Sequence, residues 1–179
     1  MHKMISGTIA GGIATIPMSW AMEVMHRMLP LDEQQPLPPR TISERALRKL
    51  EIHHNLTHQQ RFWFALLAHL GYGAIVGGVY QALSPSKKGS LVSRGILYGL
   101  GVWGVSYLGL MPALGMLTPA TRHPVRRSAV MILAHLVFGS ALAVFSGPLL
   151  HTDDEELQFL GSHHHTRGHP RERTRHGPN

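Results

Sequence analysis

The chain has 179 residues and a net charge of +7 with histidine neutral, and only 15% of its residues are charged against 44% hydrophobic. The length allows one ordinary domain, and the charged fraction falls short of the roughly 25% usual in soluble proteins. With no cysteine, disulfide scaffolds, iron–sulfur clusters, Cys-ligated zinc and thiol catalysis are excluded.

A mean hydropathy of −0.01 hides an uneven distribution. Uncharged residues form four blocks: Met4 to Met22, Phe62 to Leu83, Gly95 to Thr121 and Ser128 to Leu150. A bilayer core about 30 Å thick takes roughly 20 helical residues, and inside it only a helix satisfies its own backbone. The expected fold is all-α, a membrane four-helix bundle with spans at about 4–28, 62–83, 92–117 and 128–150. Residues 1–150 make the membrane domain and 151–179 a polar tail. The first block has a weak signal-peptide look, with Lys3 ahead of it and Ser19-Trp20-Ala21 as a small-x-small site. Its length and Pro17 favour a retained helix.

The first loop contains Pro36-Leu37-Pro38-Pro39-Arg40, expected to be extended. Thr41-Ile42-Ser43-Glu44 then reads as a capping box, opening an amphipathic helix over Thr41 to His54. That helix lies on the membrane surface or is a solvated linker. Glu23 and Arg27 form an i,i+4 pair at the end of the first span. Met18, Met22, Met25 and Met28 make a stripe at helical spacing, read as gap-filling packing rather than as a copper site.

The second and fourth blocks rhyme. Leu67-Ala68-His69-Leu70 recurs 66 residues later as Leu133-Ala134-His135-Leu136, and Tyr72-Gly73 as Phe138-Gly139. Gly12 and Trp20 pair more loosely with Gly95 and Trp103. Two repeated helical hairpins, related by a pseudo-two-fold axis along the membrane normal, follow from that pairing. Gly7 and Gly11, Gly73 and Gly77, Gly95 and Gly99, and Gly139, Ala143 and Gly147 supply small faces for close helix packing.

His69 and His135 are the candidate site, because polar ionisable groups within a span are costly. Gly73 and Gly139, one turn on, leave space beside each ring. Three roles stay open: structural hydrogen bonding, a proton relay, and ligation of haem or a metal. In the tail, His163, His164 and His165 are weak metal-ligand candidates, and the stretch from Gly161 is expected to be disordered. Basic residues without a reader fold or stacking aromatics make no nucleic-acid case. No Walker-type loop, GxSxG or HExxH is present, so no enzyme and no cofactor is expected. The expected partners are the lipid bilayer and a second copy or another membrane protein. A small-solute or ion pathway is a third functional reading.

Charge counts near the helices place loops one and three, with Arg27, Arg40, Arg45, Arg48, Lys49, Arg61, Arg122, Arg126 and Arg127, in the cytoplasm. The proline-rich run after the first span, Leu110-Met111-Pro112 with Leu117-Thr118-Pro119 after the third, and Ala134-His135-Leu136-Val137-Phe138 in the fourth resemble the YagU-type small bacterial inner-membrane proteins. The likeness covers Gly7 to Gly147 in short patches. It implies a multi-span inner-membrane protein from a group of uncharacterised function, with a cytoplasmic N-terminus, opposite to the charge count. It carries over no catalytic residues.

Overall fold

The computed structural model describes residues 2–83 and 90–165, with side chains described within 3–83 and 90–146. Among the described residues the fold is all-α, without strands. Helix α1 is His2–Arg27 and α2 is Pro38–Lys49; α3 is His58–Leu83, α4 is Leu91–Ala113 and α5 is Val125–His165. Short 3₁₀ turns at Leu31–Glu33, His53–Asn55 and Ala120–Arg122 link them.

Three of these helices, α3, α4 and α5 as far as Ser146, are long and apolar enough to cross a membrane. Only 17% of the apolar window of α3 is buried within the chain. Leu67, Ile75, Val79, Leu97 and Val144 point outward, whereas Ala10, Ala14, Ala134 and Thr15 are buried. Large apolar side chains turned outward on this scale are rare in a water-soluble protein. That arrangement is the pattern of a multi-pass membrane protein. Helix α1 has the length but falls outside that class, because glycine, serine and threonine dilute its apolar residues.

Glycine sets two close crossings. A Cβ on Gly11 would run into the Gly73 carbonyl and the Gly77 backbone, so α1 lies directly on α3. A Cβ on Gly95 would meet the Gly139 carbonyl and Ala143, and one on Gly99 the His135 carbonyl, so α4 lies directly on α5. The sequence pairing aligned Gly12 with Gly95. Gly12 lies off the crossing, with only Ala74 near, and Gly11 holds the corresponding place. The two pairs are joined by close packing of α1 on α5. On the other side, α3 and α4 meet chiefly through side chains. Tyr72 and Ser106 share a hydroxyl bond of 2.7 Å, Tyr98 donates to the Val76 carbonyl, and the Tyr80 and Tyr98 rings are 5.0 Å apart.

Several boundaries differ from the sequence expectation. Pro38 and Pro39 are not extended; they form the first turn of α2, where a missing N–H is harmless. Leu37 is the N-cap, so Thr41 and Glu44 are already inside the helix and Glu44 pairs with Arg40 at 3.2 Å. The capping box lies instead at Thr57 and Gln60, whose side chains and backbone N–H groups bond reciprocally at the start of α3. Helix α2 ends at Lys49, short of His54. Helix α4 stops at Ala113, before residue 117, in a Schellman turn: Met116 N–H reaches the Met111 carbonyl, Gly115 N–H reaches Pro112, and Gly115 takes φ +66°.

Helix α5 runs on to His165, past the boundary expected near residue 151. The stretch 166–179 lies outside the described residues, as do Lys87 and Lys88 and the side chains of His163, His164 and His165. The metal expectation for those three histidines, and the contacts of Gly147, are therefore outside it too.

Candidate functional site

His69 and His135 sit on helices that approach from opposite pairs, α3 and α5, and both line one cavity of about 220 Å³. Its other walls come from every helix. Thr15, Met18 and Met22 contribute from α1, Pro38, Pro39, Ile42 and Ser43 from α2, and Ser106, Tyr107 and Met111 from α4. The cavity occupies the seam where α3 and α4 stand apart. Helix α2 forms its floor, with Leu47 fully buried beneath the bundle. No carboxylate, lysine or arginine is among the lining residues.

Each imidazole has one nitrogen already committed. The Nδ1 of His135 lies 2.7 Å from the Met131 carbonyl, which only accepts, so Nδ1 carries the proton. The Ser19 hydroxyl donates to the Thr15 carbonyl at 2.8 Å and lies 3.2 Å from Nδ1 of His69. With its one proton used, Ser19 accepts from Nδ1–H of His69. Both neutral rings therefore keep a bare lone pair on Nε2. Among the described residues no protein group bonds either Nε2. The Tyr107 ring meets His135 edge-on at 5.6 Å and fixes its plane.

Tyr107 reaches this position through a π-helical turn, Val105–Leu110. The wider turn puts consecutive residues, Ser106 and Tyr107, on the inward side, and both are buried. Such turns are frequent at functional sites. Nothing in the composition of this segment marks it in advance.

A larger chamber of about 600 Å³ opens toward the loop face. Glu23, His26, Arg40, Glu44, His58 and Arg61 make its polar end, and Phe62, Ala65 and Leu66 its apolar end. It shares Met22, Pro39 and His69 with the inner cavity. Those three residues are the partition between the two, and half-buried His69 faces both. The Glu23–Arg27 pair forms at 2.9 Å along its edge.

The loop face is locked to the bundle by cations on helix ends. Arg45 donates to the Met116 carbonyl at 3.1 Å and Lys49 to the Leu114 carbonyl at 2.7 Å, at the C-terminus of α4, where positive charge is favoured. Arg127, buried at the start of α5, donates to the Gln35 and Pro36 carbonyls at 3.1 and 2.8 Å. The charge count treated these residues only as topology markers. In the structure they hold the floor of the cavity in place. Burial and the Arg127 charge hold His123 below its usual range, against a hydrogen bond that its ring donates to the Thr118 backbone. Partial desolvation, with Arg61 and Arg48 beside it, does the same for His53.

The clearance expected beside Gly73 and Gly139 is already filled. A Cβ at Gly139 would strike the Gly95 carbonyl, and one at Gly73 would strike Thr15. These glycines let helices cross; Gly73 also lines the cavity with His69 and His135, whereas Gly139 does not. Met18 and Met22 do converge, on the cavity, while Met28 is exposed. Ser19, Tyr107, Met111 and the π-turn are the site features that the sequence reading missed.

A family model described as "Protein of unknown function (DUF1440)" matches residues 19–144. No curated protein matches the chain. No solved structure matches it either.

Proposed function

The chain belongs to the DUF1440 family, and from that premise we propose a four-span membrane protein that admits a small solute or ion from its loop face into an intramembrane cavity. There the ligand is held on His69 and His135. One observation carries this reading: two imidazoles with unpaired Nε2 lone pairs face a single cavity. Each Nε2 is an acceptor that no protein group occupies, so a ligand entering the cavity finds two free imidazole lone pairs to bind. The volume lies below the 300–1,000 Å³ typical of drug-sized ligand pockets, which favours a small solute or ion over a haem macrocycle. The role is one of binding or passage, without catalysis.

In this reading α1 is the fourth span. It packs on both α3 and α5, and it turns Ile5, Ile9, Ile13, Ile16 and Trp20 outward as the other spans do. The hairpin repeat is part of the same proposal. Gly11 against Gly73 and Gly77 has its counterpart in Gly95 against Gly139 and Ala143, and His69 has its counterpart in His135. An inner-membrane location of the YagU type also belongs to the proposal.

The absence of cysteine makes the test clean. His69→Cys, His135→Cys and, as a loop-face control, Asp32→Cys are each placed in sealed vesicles and exposed to impermeant thiol reagents of graded size from each side. His69→Cys is expected to react from the same side as Asp32→Cys, and His135→Cys to react more slowly and only with the smallest reagents. Failure of both histidine positions to react in folded protein would overturn the proposal.

A further inference from the structure

Three thioethers share the inner cavity with the two imidazoles: Met18 and Met22 from α1 and Met111 from the end of α4. The hydroxyls of Thr15, Ser43, Tyr72, Ser106 and Tyr107 also line it, each already in a hydrogen bond within the protein, which leaves two neutral nitrogens and three soft sulfurs as the uncommitted donors. Hard cations such as calcium and magnesium take carboxylate and carbonyl oxygens, and no carboxylate lines this space. A divalent ion such as zinc would enter an apolar cavity with no anionic ligand to balance it, and buried unpaired charge is strongly penalised. A monovalent soft ion carries half that charge, and thioethers and imidazoles are the ligands it prefers.

We propose that the cavity binds a soft monovalent metal ion of the copper(I) class, on Nε2 of His69 and His135 and the thioethers of Met18, Met22 and Met111. The inference deepens the ligand-cavity reading above and rests on it. Metal-bound histidines usually donate the other ring N–H to a carbonyl or similar group, which fixes the ring. His135 does so to Met131, and His69 to Ser19. Met22 and His69 also face the outer chamber, so two of the five donors are reachable before the ion passes inward. Binding involves no electron transfer, and both rings keep their Nδ1 protons.

The test uses the full chain in detergent, with His163, His164 and His165 changed to alanine to remove a competing site. Copper(I) is titrated without oxygen against a chromophoric chelator, and silver(I) serves as a redox-inert probe. One equivalent is expected to bind. The double change His69→Ala, His135→Ala should weaken binding about 100-fold or more, and the triple change Met18→Leu, Met22→Leu, Met111→Leu about 10-fold or more. Leucine conserves volume, so the triple variant should keep its fold, as thermal unfolding will check. X-ray absorption of the copper(I) form should show nitrogen and sulfur neighbours, with sulfur lost in the triple variant. No bound ion, undiminished binding in both variants, or equal affinity for zinc(II) at the same residues would each overturn the metal assignment. If the cysteine variants still react from the loop face, only the metal assignment falls. If they do not react, the cavity reading falls with it.

Discussion

The two seams between the glycine-crossed pairs differ sharply. Along one, α1 and α5 lie in close backbone contact over small residues; along the other, α3 and α4 are held apart by tyrosines, and the cavity lies between them. Each seam joins one helix of the α1–α3 pair to one of the α4–α5 pair. The difference lies in what each places at the contact. Ala10 and Ala14 of α1 and Leu142 of α5 are fully buried in the core. Tyr72, Tyr98 and Ser106 bridge the open side with hydroxyl bonds. In hydrocarbon, where packing replaces the hydrophobic drive, small residues close a seam, and a polar bridge can span one that stays open.

The strongest way to break this contrast is to add bulk at the crossings. Gly11→Ala and Gly139→Ala each force a Cβ into facing backbone, and overpacking of this kind costs about 1–3 kcal/mol. Gly101→Ala is the matched control. Nothing lies within 4 Å of its Cβ position, and alanine in a helix interior should gain roughly 0.5–1 kcal/mol over glycine. Unfolding of the three variants in detergent, by heat or by added denaturing detergent, reads the difference. Equal losses at all three positions would show that the crossings are not the tight points of the bundle.

Acting on the open seam should have a smaller effect on stability and a larger one on the cavity. Tyr72→Phe removes the bond to Ser106, and a hydrogen bond of this type contributes about 1 kcal/mol. The same change leaves the α1–α5 seam untouched. Thiol labelling of His135→Cys in the Tyr72→Phe background should therefore speed up while the melting temperature moves little. A large stability loss with unchanged labelling would mean that the tyrosine bridge carries the fold and has no bearing on access.

The division between legible and illegible features follows the same physics. The blocks Phe62 to Leu83 and Ser128 to Leu150 announced α3 and the first part of α5, because hydrocarbon demands long uncharged helices. The glycines spaced by four announced the crossings. The paired His69 and His135 were visible as polar residues at matched places in rhyming blocks, and the structure brings both to one cavity. The seam asymmetry was not visible, since it depends on which helices become neighbours. Local geometry misled where one signal had two uses. Pro38 and Pro39 read as a break, yet proline is welcome in the first turn of a helix. Thr41 and Glu44 had the capping spacing, yet Thr57 and Gln60 had it as well and used it. The π-turn has no sequence signal, because any uncharged stretch can host it.

The smallest expected effect concerns the floor under the open seam. His53 and His123 flank the loop face, and each is held below the ordinary histidine value of 6.5. In the unfolded chain they take up protons as pH falls through 6.5, before they do so in the fold. Their contribution is therefore fully present above that pH and is lost progressively below it, down through their lowered folded values. Hydrogen exchange of backbone amides in α2 and in the turns at His53–Asn55 and Ala120–Arg122 should quicken on moving from neutral to mildly acidic pH, after correction for the intrinsic rate. The double change His53→Gln, His123→Gln should flatten that response, because glutamine does not titrate. If the response persists undiminished in the double variant, other groups govern the loop face and these two histidines are bystanders. If it vanishes while amides at the Gly95–Gly139 crossing behave as in the parent, the floor loosens by itself, and the open seam is the part of the bundle that pH can reach from the loop side.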